Sequence, residues 1–262
     1  DVTATVNSIP LIASSIMSKK IAAGSDVICL DVKVGDGAFM KTLEDAEKLA
    51  KTMVGIGNNL GRETIAFLTN MDEPLGYKIG NILEIEEVLD TLNGHGPADL
   101  TEICLQIGSY MVYYSGQASS LEEARVLLEE VLYNGKALAK FNAFITAQGG
   151  NPQENFPKVK NKIAVYATKN GYVKKIKAEE VGVAAMILGA GRATKEDEID
   201  HAVGLELCAK VGDLVTIEEP IAYIYGNGKG EDVAKANILD AYEIVSEQQK
   251  PSTLIFKIID EA

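Results

Sequence analysis

Tryptophan is absent from this 262-residue chain, phenylalanine occurs six times, cysteine three times and histidine twice. The three cysteines, Cys29, Cys104 and Cys208, are widely separated. They show no metal-ligand spacing and cannot form a disulfide framework, so they read as reduced, buried thiols of a cytoplasmic protein. Neither His95 nor His201 has a neighbouring nucleophile, and both read as structural or surface residues. Positive charge is scarce: 25 Lys and Arg face 38 Asp and Glu, for a net charge of −13. A surface that negative repels phosphate backbones and anionic lipid, which argues against nucleic-acid and membrane partners. No apolar run approaches bilayer-spanning length, and the first residues lack a signal-peptide pattern. No pair of acids stands out as the constellation that hydrolysis of a glycosidic bond normally requires.

What remains is an ordinary globular composition, 47% hydrophobic and 24% charged, in a chain long enough for one large domain or two smaller ones. Asn7 or Ser8 is placed to cap a helix with Pro10 in its first turn, and Gly24 suits the left-handed position after its end. The near-continuous apolar runs Asp26–Val34 and Glu63–Thr69 read as strands buried on both faces. Between them, Thr42 with Asp45 opens a helix running to about Gly55. Strand, helix and strand in this order predict a parallel crossover in an α/β sheet. Helical periodicity then dominates from Asn81 to about Gln148, and residues 149–162 form the clearest linker. Beyond it the texture turns to short strands: Ile163–Ala167, Gly171–Lys175, Leu214–Ile217, Pro220–Tyr225 and Thr253–Ile259. Gly182–Met186 opens a helix or a further strand, and Asp232–Gln249 reads as one helix.

Three stretches carry possible chemistry. In the first helix Ile12, Ser15 and Lys19 fall at i, i+3 and i+7, so an apolar contact, a hydroxyl and a cation share one face. Such a stripe can grip a flat polar heterocycle, with Ile on its face and Ser and Lys at its edge. The plainer reading is an amphipathic helix with Ser15 against the core and Lys19 in solvent. In the second, Gly35-Asp-Gly37 follows a strand, but Met40 stands where a dinucleotide fingerprint needs its third glycine. The following helix also starts too late to aim its amides at a phosphate there, so the glycines read as a tight turn beside a cleft. Asp31 and Lys33 lie on one side of the preceding strand and are placed to pair, structurally or in support of a site. In the third, Val211-Gly-Asp-Leu-Val with Glu219-Pro220 resembles the turn-and-strand pattern of biotinyl- and lipoyl-type domains. The carrier lysine between two methionines is absent, which removes a swinging-arm role.

The runs Asp1–Ile12, Ser15-Ile-Met-Ser-Lys-Lys20 and Leu30-Asp-Val-Lys-Val-Gly-Asp-Gly-Ala-Phe-Met40 resemble the pyrimidine-nucleoside and thymidine phosphorylase family. The likeness continues through Asp72–Tyr77, Gly80-Asn81 and Gly94-His-Gly-Pro97 to the end of the chain. It implies an α/β fold: a large α/β lobe with a mixed or parallel sheet and flanking helices, a C-terminal α+β subdomain resembling a barrel-sandwich, and part of a small all-helical lobe. The corresponding division is 1–22 for the helical fragment, 23–150 for the α/β domain and 163–262 for the C-terminal subdomain. The resemblance also implies an Arg immediately before Asp1, so the chain is expected to be the C-terminal three-fifths or so of a longer protein.

The implied activity is reversible phosphorolysis of uridine- or thymidine-type nucleosides to free base and (deoxy)ribose 1-phosphate. Ile12, Ser15 and Lys19 would bind the base, and Lys19 would be the catalytic cation. No organic cofactor is implied; phosphate is a co-substrate, and the lysine, serine and threonine that hold it in the family have no counterpart here, so this chain alone is expected to be inactive. A potassium ion would be held by the main-chain carbonyls of Leu75 and Lys78 and the Glu87 carboxylate, although Glu87 read alone is one of several acids on a solvated helix face. A cytoplasmic homodimer binding pyrimidine nucleoside and phosphate is expected by resemblance. Two rivals stand beside this reading: an anthranilate-type phosphoribosyltransferase, and a non-catalytic binding module on the same fold.

Overall fold

The structure is a computed structural model and describes residues 8–192 and 194–260. Along the chain run α1 (Ile9–Ala22), β1 (Val27–Val34), α2 (Leu43–Asn59), β2 (Glu63–Asn70), β3 (Lys78–Ile79), α3 (Asn81–Leu92), α4 (Ala98–Tyr114), α5 (Leu121–Tyr133) and α6 (Lys136–Ala147). There follow β4 (Asn161–Tyr166), β5 (Gly171–Ile176), α7 (Ala178–Leu188), β6 (Gly204–Leu207), β7 (Leu214–Val215), β8 (Pro220–Gly226), α8 (Glu231–Ala241), β9 (Tyr242–Val245) and β10 (Ile255–Ile259). Two compact units result. The first is built from the chain up to Met71, Glu102–Glu129 and the chain from Thr253; the second is built from Asp72–Thr101 and Glu130–Ser252.

The first unit holds the predicted crossover. β1 and β2 pair in parallel, with Val27 opposite Glu63 and Val34 opposite Asn70, and β10 adds an antiparallel strand on the far side of β2. The capping expectation for α2 holds: the Thr42 side chain accepts the Asp45 amide at 3.2 Å and donates to the Asp45 carboxylate at 2.9 Å. One face of the sheet and the inner side of α2 share a core of Leu30, Val32, Leu49, Met53 and Leu68, against which α1 seats Ala13 and Met17. On α4, Tyr110 meets Phe67 of β2 edge-on at 4.9 Å between ring centroids. Each such fully buried large side chain contributes about 1.5–3 kcal/mol of transfer free energy.

The second unit carries two antiparallel sheets, ordered β3-β6-β8-β4 and β7-β5-β9. Its core gathers Val165, Ile176, Leu188, Leu205, Ile221, Ile224 and Ile238. Mixed and antiparallel sheets with flanking helices fulfil the α/β expectation, with no closed barrel among the described residues. Two local expectations change. Residues 178–188 are a helix, whose Val181, Ala184, Ala185 and Leu188 are buried as it packs on α8. The single helix expected over 232–249 instead stops at Ala241. There Tyr242 and Ile244 turn into the core as alternate residues of β9, paired with β5, and the Tyr242 hydroxyl donates to the Ala209 and Ile221 carbonyls at 3.0 and 3.3 Å. Burying that ring and satisfying its hydroxyl outweighs one more helical turn.

The cysteines differ from the expectation in part: Cys29 is half-buried, while Cys104 and Cys208 are exposed. Both histidines are exposed. No helix among the described residues is long and apolar enough to cross a membrane.

Candidate active site

The stripe expected to bind a base lies on α1. Of the two cap alternatives, Asn7 lies outside the described residues; Ser8 occupies the N-cap, without a side-chain cap bond, and its carbonyl accepts the Ile12 amide at 2.9 Å. Pro10 sits in the first turn, where its missing N–H costs nothing. The helix ends at Ala22, and Gly24 follows with φ +79°. Ala13 and Met17 lock the rod against the core. That leaves Ile12 and Ile16 half-buried and turns Ser15 and Lys19 to solvent. At 1.5 Å per residue Ser15 and Lys19 are separated by about 6 Å along the axis, and Lys19 stands about 10 Å beyond Ile12.

A cavity of about 290 Å³ opens beside this helix. Its walls are Ile12 and Ile16 from α1, Asp31, Val32 and Lys33 from β1, Phe39 and Met40 from the loop after β1, and Leu49 and Met53 from α2. The lining is almost wholly apolar, and the volume matches the small end of ligand pockets. Ile12 is thus brought to the cavity wall, whereas Ser15 and Lys19 are not among its lining residues and stand on the exposed side of the same helix. Ile16 and Phe39 were missed by the sequence reading. Ile16 is one helical turn from Ile12. Phe39 lines the cavity while keeping 61% of its surface exposed.

The loop holding Phe39 is tied down at both ends. The Gly35 amide donates to Met40 and the Gly37 amide to Met71, at 3.0 and 2.8 Å. The glycines therefore shape a turn, as expected. The expected pairing of Asp31 and Lys33 is present: the Lys33 ammonium lies 2.7 Å from the Asp31 carboxylate, which also accepts the Thr69 hydroxyl. The Lys33 Nζ atom is buried with no well-aligned hydrogen bond among the described residues, and the Asp31 carboxylate faces its charge. That pair stiffens the strand from which the cavity wall is built.

The three residues expected to hold a cation come together in the second unit. Glu87 of α3 is only 6% exposed, and its Oε1 accepts the Tyr77 and Lys78 amides at 2.9 and 3.1 Å. Burial pushes its carboxyl up, and the two amides only partly offset this. The Lys78 ammonium instead pairs with Glu86 at 3.2 Å. Leu75 is half-buried in the same turn. Among the described residues no group of three or more His, Cys, Asp or Glu side chains is arranged to hold a metal. An ion here would depend on main-chain carbonyls. The donor set is nevertheless suitable, being all oxygen: two carbonyls and the Glu87 carboxylate. In the same unit the Glu73 and Asp99 carboxylates face the Lys210 ammonium, at 3.9 and 3.0 Å.

Comparison with known proteins fits this geometry. Residues 1–138 match the family described as "Glycosyl transferase family, a/b domain". Residues 172–245 match the "Pyrimidine nucleoside phosphorylase C-terminal domain". The chain therefore belongs to this glycosyl transferase family. It is 55% identical to the pyrimidine-nucleoside phosphorylase of Bacillus subtilis, a match covering 100% of this chain and 61% of that protein. Against the enzyme of Geobacillus stearothermophilus the identity is 54%, over 98% of this chain and 60% of the relative. For Staphylococcus haemolyticus the figures are 54%, 100% and 61%. The chain spans about three-fifths of the length of these relatives. None of them is a phosphoribosyltransferase, so that rival is not favoured.

Proposed function

We propose that this chain forms the base-binding part of a pyrimidine-nucleoside phosphorylase. The carrying observation is the apolar cavity walled by Phe39 and by Ile12 and Ile16 of the helix that also bears Ser15 and Lys19. An apolar slot of this size suits a flat pyrimidine, and the relatives to which this chain is about 55% identical are named pyrimidine-nucleoside phosphorylases.

In the reaction, the C1′–N1 bond of the nucleoside breaks with its electron pair going to N1, and a phosphate oxygen forms the new bond to C1′. The transition state carries positive charge on the sugar and growing negative charge on the base. Lys19 stabilises that anion, Ser15 orients the ring edge, and Ile12, Ile16 and Phe39 hold its faces away from water. The departing base then takes a proton and leaves as the neutral pyrimidine, with pentose 1-phosphate as the second product. The enzyme acts without an organic cofactor, as a cytoplasmic homodimer.

A potassium ion belongs to the same reading. The Leu75 and Lys78 carbonyls and the Glu87 carboxylate would hold it, and when bound it would supply fixed positive charge and rigidity to the turn. In its absence Glu87 does part of that work by holding the Tyr77 and Lys78 amides.

The test is Lys19→Ala in the full-length enzyme that contains this chain. Loss of one charged group facing the leaving base lowers kcat/KM by about 2–4 kcal/mol, roughly 30- to 1,000-fold. Release of free base from uridine or thymidine with phosphate is the readout, and unchanged kinetics would refute the assignment.

A further inference from the structure

Lys210 lies after β6, and its backbone is fixed where its amide donates to Asp213 at 2.8 Å. Its ammonium is seated in the turn that joins Glu73 to Lys78. It donates to the Pro74 carbonyl and, at 3.1 Å, to the Gly76 carbonyl, and lies 3.0 Å from the Asp99 carboxylate. Glu73 stands further off at 3.9 Å, and the Tyr77 ring centroid is 5.7 Å away. Only 13% of the lysine side chain is exposed.

Two features set this apart from an ordinary ion pair. Two of the three close ligands are neutral main-chain carbonyls, which an anion-seeking lysine has no need of. The carboxylates are also held independently of the lysine: Asp99 accepts the Gly76 and Leu100 amides at 3.1 and 2.8 Å, and Glu73 accepts the Val211 amide at 3.0 Å. The cage is thus a pre-organised ring of carbonyl and carboxylate oxygens of the kind that replaces the hydration shell of a large monovalent cation.

We propose that Lys210 is a tethered monovalent cation: its ammonium occupies a cage for ammonium or potassium made by Pro74, Gly76 and Asp99, and thereby positions the turn carrying Leu75, Tyr77 and Lys78. The cage shares no ligand with the Leu75–Lys78–Glu87 set, and the inference needs neither that ion nor the phosphorolysis reading. Lys210 supplies permanently what a dissolved ion would supply only at sufficient concentration. It is a positioning residue, acting through the turn.

Thermal unfolding of the full chain at one ionic strength tests this, with choline, tetramethylammonium, potassium or ammonium chloride as the salt. The wild-type response to potassium and ammonium records any other ion site, including that of Glu87. Lys210→Ala should lower Tm by roughly 10 °C in choline, since it leaves the half-buried Asp99 carboxylate and two carbonyls without their cation. Potassium and ammonium should restore at least half of the loss beyond the wild-type response, and tetramethylammonium, too large for the cage, should restore none. Lys210→Met, which fills the cage with an uncharged stem, should lose stability and respond no more than wild type. A Lys210→Ala chain that responds to every salt as wild type does, or that stays unfolded in all of them, overturns the proposal. A salt-insensitive wild type with a rescued Lys210→Ala variant would instead sink the Glu87 ion and leave the tethered cation standing.

Discussion

The Glu87 carboxylate closes over the backbone of Gly76: a β-carbon at residue 76 would fall inside the van der Waals shell of both carboxylate oxygens. Gly76 also has φ +69°, a left-handed conformation that side chains disfavour. Gly76→Ala therefore meets two penalties, backbone strain of about 1 kcal/mol and displacement of a buried carboxylate from two amides. A loss of roughly 2–4 kcal/mol in urea unfolding is expected, most of it remaining when Glu87 is shortened to Asp, because the shorter acid no longer reaches the Tyr77 and Lys78 amides.

Glu87 also sets a pH dependence. Burial raises its carboxyl above the ordinary range, so the folded chain holds that proton more tightly than the unfolded chain. Its contribution is then fully present below the ordinary carboxyl pKa and is lost as pH rises through the raised folded value. Glu87→Gln keeps an oxygen for the two amides and cannot ionise. In choline buffer, the stability of wild type minus that of Glu87→Gln should fall as pH rises across the carboxyl range. A difference that rises with pH would contradict the assigned cause.

How much was legible in advance depended on whether the signal was local. The β1–α2–β2 crossover was readable because Thr42, the two apolar runs and the intervening helix each carry their own pattern, and each pattern points to the same pairing. Ile12 was placed at a ligand wall from helical spacing and resemblance. Phe39 was not, because a ring in a loop has no periodicity; only the packing of the loop onto Met71 and Met40 brings it round. The Asp232–Gln249 helix was overextended for a similar reason. Tyr242 and Ile244 fit a helix by propensity, and what turns them into a strand is the remote pairing with β5 and the carbonyls of Ala209 and Ile221. The Lys210 cage has no sequence signature, since its ligands are main-chain carbonyls and a carboxylate more than a hundred residues away.

Phe39 separates binding from folding. Its ring is mostly exposed, so Phe39→Ala should change stability by less than about 1 kcal/mol. Under the proposed function the same change removes one aromatic wall of the cavity assigned to the base, worth about 1 kcal/mol or more, and should lower kcat/KM of the full-length enzyme roughly 5- to 10-fold. Ile12→Ala, half-buried between cavity and core, should cost both stability and kcat/KM. Equal effects of the two substitutions on stability would mean that Phe39 packs against the fold more than its exposure indicates.

Cys29 offers a separate reading of the first unit. Its thiol lies within β1, and burial pushes its pKa up to about 11, whereas an unfolded cysteine titrates near 9. Burial also raises Cys104 and Cys208, even though those residues keep exposed surface. At pH 8 the folded chain thus carries very little thiolate at Cys29, and thiolate is the nucleophile. Alkylation followed by peptide mass analysis should find Cys29 the slowest of the three, and should find it accelerated only by denaturant or by pH approaching 11. The same shift has a stability counterpart with a definite sign. The unfolded chain releases the proton first, so the contribution of the buried thiol is intact below about pH 9 and is lost as pH rises toward 11. The loss amounts to at most about 2–3 kcal/mol, and Cys29→Ala should remove this part of the alkaline decline while leaving the acid side unchanged. An alkaline limb identical in wild type and Cys29→Ala would show that β1 does not bury that thiol as deeply as its neighbours in the sheet imply.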